Sequence, residues 1–314
     1  MSDEHETETR ESESTGTHRS GFVALVGRPN AGKSTLLNRL VGEKVAIVSD
    51  KPQTTRSQIR GVLTRPDGQI VFVDTPGIHK PGYALNRRMM SYVTEALISV
   101  DLILLLVDGT SEPGGGDRFA EELVLGSGKP VFLVVNKIDR FKSKSAMLPA
   151  LNSRAEGREF AEIVPISART GDNVDVLVDL VMQHLPTGPS FFPDDEYTDQ
   201  PMRMLAAELV REQILHATGE ELPYVTAVVV ERWDETDAVA NVYCLVFVER
   251  PSQKAIIIGK GGLRLKEIGT EARLQIEEIL GKKVYLQIHV VVREHWRNDE
   301  RLLDTLGLEE TDRR

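Results

Sequence analysis

Phe22-Val-Ala-Leu-Val26, Gly27-Arg-Pro-Asn-Ala-Gly-Lys-Ser34 and Thr35-Leu-Leu-Asn-Arg-Leu40 follow one another without a gap: an apolar run, a glycine-rich octet and a helical pattern. The octet matches GxxxxGK[ST], and a strand before it with a helix after it is the context in which that pattern cradles phosphate. Gly27, Arg28, Pro29, Asn30, Ala31 and Gly32 would form the loop whose backbone amides curl around the phosphates, with Thr35 at the start of the helix. Lys33 would reach the β and γ oxygens, and the Ser34 hydroxyl would ligate Mg²⁺.

Working outward, apolar runs at 22–26, 70–73, 102–107, 131–135 and 163–165 alternate with helical patterns. That rhythm predicts an α/β domain over 21–185, a mostly parallel sheet with helices on both faces. Ile59 to Arg65 and Ile70 to Val73 flank Pro66-Asp67-Gly68, which predicts a hairpin adding an antiparallel edge.

A phosphate loop alone would serve an ATPase or a small-molecule kinase equally well. Asn136-Lys-Ile-Asp139 follows the run at 131–135, where the Asp139 carboxylate could accept from guanine N1–H and the 2-amino group, a donor pair adenine lacks. Asn136 would reach N7, Lys137 would lie across the base, and Ser167-Ala168 would offer a backbone N–H to O6. Asp74-Thr75-Pro76-Gly77 closes another strand, with Asp74 holding Mg²⁺ through water and the Gly77 N–H facing the γ-phosphate. Upstream, one threonine of Pro52-Gln-Thr-Thr-Arg56, taken as Thr55 ahead of Thr54, would complete the Mg²⁺ shell when a γ-phosphate is present. The catalytic set expected is therefore Lys33, Thr55 and Gly77. Where a Ras-like enzyme carries its water-orienting glutamine stands Ile78, which cannot polarise water, so slow hydrolysis is expected; His79 is read as a solvated residue ahead of a general base.

Pro186 to Gln200 is turn-rich and acidic, the composition of a linker. Beyond it, over 201–308, the patterns predict helix at 202–217, strands at 224–231 and 239–249, helices at 252–258 and 263–280, a strand at 284–293 and a last helix near 300–306. The first six of these give the order α-β-β-α-α-β. Gly259-Lys260-Gly261-Gly262 lies between the two central helices, the placement of the GXXG loop of an α+β KH domain, where RNA backbone passes close to the main chain. Between Glu249 and Glu267 stand Arg250, Lys254, Lys260, Arg264 and Lys266 and no acidic residue. We read Lys254, Gly259, Lys260, Gly261, Gly262, Arg264 and Lys266 as the RNA contacts.

The chain has 314 residues, 40% apolar and 27% charged, and a formal net charge of −10, so RNA binding must rest on such a local basic site and no DNA partner is expected. Residues 1–20, rich in Glu, Ser and Thr, are read as a disordered acidic tail, and 309–314 as a short charged one. Cys244, the single cysteine, excludes an intramolecular disulfide and is read as a strand residue of a protein from a reducing cytoplasm. No apolar run reaches the ~18 residues of a membrane span, and the first twenty residues lack a signal-peptide core.

Taken together, GRPNAGKSTLLN at 27–38, QTTR at 53–56, DTPGIHKP at 74–81, NKID at 136–139, SA at 167–168 and GKGG at 259–262 resemble the Era family of bacterial GTPases, in which a Ras-like domain precedes one KH domain. The likeness spans Gly21 to about Leu308. It implies GTP and GDP as ligands, binding to 16S rRNA near its 3′ end, a role in maturation of the 30S subunit, and peripheral association with the inner face of the cell membrane. Asn30 matches the asparagine that in related GTPases helps hold K⁺ beside the phosphates. The acidic N-terminal extension departs from the family pattern. Two other readings compete: an RNA-binding module with a vestigial nucleotide site, disfavoured because no motif residue is degraded, and a membrane-trafficking GTPase, disfavoured by the lack of a lipidation motif.

Overall fold

A computed structural model of the protein describes residues 18–51, 53–78, 82–219 and 222–309. In chain order the first domain comprises β1 (Arg19–Gly27), α1 (Lys33–Val41), β2 (Ile59–Arg65), β3 (Gly68–Asp74), α2 (Ala84–Ser99) and β4 (Leu102–Asp108). It continues with α3 (Gly115–Leu125), β5 (Val131–Asn136), α4 (Lys144–Ala155), β6 (Glu162–Pro165) and α5 (Val174–His184). The six strands form one sheet in the order β2-β3-β1-β4-β5-β6. Only β2 runs antiparallel, as the Pro66-Asp67-Gly68 turn predicts. Central strands such as β4, Leu-Ile-Leu-Leu-Leu-Val-Asp, are apolar almost throughout because both sheet faces are covered. One apolar core lies on the α1 and α5 face, with Leu36, Leu37, Leu177 and Val181 over Leu25, Leu104 and Phe132. The other buries Val93, Ala96, Ala120 and Val124 against Ala24, Ile103 and Leu133. Chain order reverses beside β1, so the parallel strands deliver Gly27, Asp74, Asp108 and Asn136 to one edge, where doubly wound sheets bind ligands.

The second domain comprises α6 (Met202–Ala217), α7 (Leu222–Val225), β7 (Ala227–Glu235), β8 (Val239–Val248), α8 (Pro251–Ile258), α9 (Leu263–Leu280), β9 (Lys283–Val292) and α10 (Glu300–Thr305). Its sheet has the order β7-β8-β9, with β8 and β9 parallel. The inward residues of β8, Ala240, Val242, Cys244, Val246 and Val248, meet Ile257, Ile268, Ala272 and Ile276 of α8 and α9. Cys244 is buried there, and burial pushes its thiol up to about 12, the inert structural cysteine that was expected.

Three readings need correction. The strand expected from Tyr224 begins at Ala227 instead. Residues 222–225 make a helical turn whose Pro223 carbonyl accepts a guanidinium, and hairpin pairing through a bulge after Val230 carries β7 to Glu235. The tail reading of residues 1–20 overruns the fold: Arg19 and Ser20 pair with Gly68 and Gln69 of β3, while 1–17 lie outside the described residues. Residues 186–200 are docked, not free. Gln69 Oε1 accepts from the Phe191 and Phe192 amides, Val62 N donates to Tyr197 O, and the Phe191 ring lies 4.7 Å from that of Phe22. The last helix is found where it was expected, preceded by a 3₁₀ turn at 296–298 that buries Trp296.

Candidate functional site: a phosphate cradle and a second-domain groove

Between β1 and α1 the loop turns on Gly32, at φ 100°, where a Cβ would lie 2.2 Å from Asn136 Nδ2. No residue with a side chain fits, which is why the glycine stands there. Lys33 is buried beneath the loop and its Nζ donates to Gly27 O and Arg28 O, each at 3.3 Å. Burial pulls the Lys33 amine down and the Asp74 carboxylate opposes that; burial pushes Asp74 up and Lys33 opposes it. Ser34 Oγ lies 2.7 Å from Asp74 Oδ2 and 2.9 Å from Thr55 Oγ1, and Thr55 Oγ1 lies 3.0 Å from the same Asp74 oxygen. The other oxygen, Asp74 Oδ1, is buried without a hydrogen-bond partner among the described residues. Two hydroxyls and a carboxylate with one oxygen left over are the hard donors that suit Mg²⁺. Of the two threonines, then, it is Thr55 that joins Ser34 and Asp74, whereas Thr54 Oγ1 bonds Lys51 O at 2.7 Å.

A cavity of about 360 Å³ opens over these groups, lined among others by Asn30, Lys33, Thr55, Gly77, Lys137 and Arg140. Gly77 packs against Pro29 so closely that a Cβ would come within 2.8 Å, which brings the strand-end loop up to the phosphate loop. Asn30, in left-handed backbone at φ 64°, donates from Nδ2 to Asp50 O at 2.6 Å. Ile78 is buried in the core of its sheet face, with its N–H to Gly27 O; His79 lies outside the described residues.

Several of the residues expected at the nucleotide also bond within the protein. The Arg28 guanidinium turns away to Asp117 at 2.8 Å. The Thr75 hydroxyl donates to Leu25 O, 2.9 Å away, because it is fully buried beside β1. Asn136 bridges two loops, Nδ2 donating to Ala31 O and Oδ1 accepting from Ala168 N. Of the Ser167-Ala168 pair expected to offer a backbone N–H to O6, the Ala168 N–H bonds Asn136 Oδ1 at 2.9 Å and the Ser167 N–H bonds Asp172 O at 3.0 Å. Lys137, expected across the base, pairs through Nζ with Asp108 at 2.6 Å. Asp139 accepts from Ser167 Oγ at 2.7 Å and from Arg169 at 2.5 Å, and these two hold its carboxyl below the usual range, Ser167 first. Arg169 and Arg140 were missed, though Arg169 directly follows the Ser167-Ala168 pair.

In the second domain, Gly259, Gly261 and Gly262 all have positive φ, at 70°, 60° and 80°, so the loop depends on glycine. A shallow groove of about 410 Å³ runs beside it between α9 and β9, lined by Gly262, Lys266, Gly269, Arg273, Leu286 and Ile288. Lys260 and Lys266 are exposed and Lys254 half-buried. Arg264 instead folds back, donating to Ile256 O at 2.6 Å to close the end of α8. Arg273, at the groove, was not foreseen; it lies beyond the counted cluster, further along α9.

A phosphate-loop fold with Ras-like strand order followed by a GXXG domain defines the class: a P-loop GTPase carrying a KH domain. Residues 22–137 match the family described as 50S ribosome-binding GTPase, and residues 221–297 match the KH domain family. GTPase Era of Geobacter metallireducens is 49% identical over 291 residues, 92% of this chain and 97% of that one. GTPase Era of Heliobacterium modesticaldum is 47% identical over 293 residues, 93% and 98% of the two chains. The chain belongs to the Era family of GTPases, and it hydrolyses GTP. Its fold superposes on a single-substitution variant of Aquifex aeolicus Era bound to GDP·AlF₄⁻ with a TM-score of 0.89 at 40% identity, covering 93% of this chain and 99% of that one. It likewise superposes on Era in complex with MgGDPNP and nucleotides 1506–1542 of 16S ribosomal RNA, with a TM-score of 0.90 at 40% identity and the same coverage.

Proposed function

We propose that this chain couples GTP hydrolysis to capture of the 3′ region of 16S rRNA by its KH domain, in the service of 30S subunit maturation in the cytoplasm. The observation that carries this reading is the groove beside Gly259–Gly262, where exposed lysines stand at a glycine loop and Leu286 and Ile288 supply an apolar wall for bases. The complex of a relative with 16S rRNA nucleotides supports it.

At the other site, the loop 27–32 and Lys33 would hold the β and γ phosphates, with Gly77 N–H on the γ-phosphate and Asp139 on the guanine edge. Ser34, Thr55 and Asp74 would hold Mg²⁺, which when bound neutralises charge on the phosphate oxygens. Positioning and charge do the work, because Ile78 is packed inward and orients no water; slow intrinsic turnover follows. Asn30 is the residue that would meet K⁺ through its amide oxygen, the nitrogen being committed to Asp50. Contact with the membrane's inner face, which the family resemblance implies, would be peripheral: no helix among the described residues is long and apolar enough to cross a membrane.

Titrating a fluorescent RNA from the 3′ end of 16S rRNA at several salt concentrations tests the reading. Binding should weaken with salt, and Lys260→Ala should lower the affinity and flatten the salt slope by about one phosphate contact. Equal affinity for a scrambled RNA would remove the 16S assignment.

A further inference from the structure

Residues 53–58, which carry Thr55, contain no helix, and no strand precedes Ile59 there, so no backbone ladder of their own fixes the threonine. Side chains of the first domain hold it in part, Gln58 Nε2 donating to Tyr92 O at 2.7 Å, and the two carbonyls just before Thr55 are held from the second domain. Arg211, on α6 and buried to 1% exposure, donates from Nη1 to Gln53 O at 3.2 Å and from Nη2 to Thr54 O. Glu208, one turn earlier on the same helix, accepts from Arg211 Nε at 2.8 Å and from Nη2 at 2.5 Å. That two-point pairing fixes the plane of the guanidinium and turns its other edge toward the two carbonyls. On the far side of Thr55, Arg56 reaches across to Thr226 O at 2.8 Å and Pro223 O at 2.6 Å. Gln53 stands in left-handed backbone at φ 59°, a conformation that costs free energy for a residue with a side chain and persists only where neighbours impose it. Its carbonyl is one of the two that Arg211 holds.

We propose that Arg211 is a positioning residue for GTP hydrolysis: by gripping the Gln53 and Thr54 carbonyls from the second domain, it keeps the Thr55 hydroxyl beside Ser34 and Asp74. This rests on the reading of Thr55 as a ligand of Mg²⁺ in the GTP complex. Because Thr55 serves only the triphosphate, Arg211 belongs to the GTP side of the cycle and not to GDP binding. A cavity of about 240 Å³, lined among others by Arg56, Glu208, Arg211 and Val228, adjoins the grip.

The test is a double-mutant cycle on the full chain, Arg211→Ala and Thr55→Ala singly and together, reading kcat for GTP, the Mg²⁺ concentration for half-maximal rate, and Kd for GDP. Arg211→Ala should lower kcat and raise the Mg²⁺ requirement, each by roughly tenfold, the loss of charge-assisted hydrogen bonds to two carbonyls. GDP affinity should stay within about twofold, and in the Thr55→Ala background the second substitution should add almost nothing, since the two act as one unit. Additive losses, or a fall in GDP affinity to match, would make Arg211 a packing residue and overturn the proposal while leaving Thr55 in its role. If Thr55→Ala alone changes neither rate nor Mg²⁺ requirement, the ligand reading fails and the proposal with it. Should Arg211→Ala not fold, Arg211→Lys enters the same cycle: it keeps charge and bulk but cannot bridge two carbonyls and Glu208 at once, so the same losses are expected.

Discussion

Asp139 shows how much one carboxylate is asked to do. In the proposed role it would have to be ionised to accept two hydrogen bonds from guanine, and Ser167 Oγ and then Arg169 hold it below the ordinary range. A depressed value in the fold means that its contribution to stability is complete above the ordinary carboxylate value and is lost only as pH falls through the lower, folded one. GDP affinity should therefore persist below the pH at which a free aspartate protonates, and Arg169→Ala should move the acid limb upward; an unmoved limb would leave Arg169 without influence on the base site. Asp139→Asn should shift preference from GTP toward XTP, because an amide can donate to the carbonyl that replaces the 2-amino group. Competition binding with the two nucleotides decides it, and unchanged GTP preference would take Asp139 out of the pocket. Asn30 predicts faster hydrolysis in K⁺ than in Na⁺, with the difference abolished in Asn30→Ala; equal rates in both salts contradict the cation reading. The motif residues stand out in the sequence because phosphate and guanine recognition demand fixed residue types at fixed spacing. The auxiliary ones do not: Arg211 meets carbonyls 157 and 158 residues away, and nothing in its own helix announces them.

Two helices of the second domain were legible to the residue. The Met202–Ala217 and Leu263–Leu280 helices begin and end as their patterns predict, the second bounded by Gly262 and Gly281 in left-handed backbone. Where tertiary partners decide, the reading failed: at 222–225 the chain turns helical in contact with Arg56, and 186–200 lies along β2 and β3 because Gln69 offers its amide to the Phe191 and Phe192 backbone. Helix α2 is a further case. Its N-cap, Tyr83, gives no side-chain bond, and Asn298 of the second domain supplies the cap from outside, Oδ1 accepting from Ala84 N at 3.1 Å. The neighbouring Arg297 stacks over the Tyr83 ring at 3.7 Å and pairs with Glu249 through Nε and Nη2. Asn298→Ala should cost about 1 kcal/mol, the ordinary worth of an N-cap, measurable as a lower denaturant midpoint at unchanged slope. No loss would mean that water replaces the cap without penalty.

Across the whole molecule, the two domains meet through buried charge as well as apolar surface. Arg88 of α2 pairs with Asp304 at 2.7 Å and also bonds Glu300 and Leu308 O, while Lys44 pairs with Glu212 at 2.5 Å. Leu85, Met89 and Tyr92 share a core with Phe247, Trp296, Leu302 and Leu303. Each half was readable alone from its own motifs; the seating of one on the other was not, because it is made of long-range pairs without a local pattern. The proposed function divides labour across this interface, with guanine nucleotide at one site and rRNA at the other, and Gly261→Asp separates the two. Position 261 faces open space at φ 60°, so aspartate adds backbone strain and a negative charge at the loop, while its Cβ would meet nothing within 4 Å. With the fluorescent 3′-end RNA and GTP titrated on the same preparation, RNA binding should be lost and GTP affinity unchanged. RNA bound as tightly as by the parent protein would contradict that division.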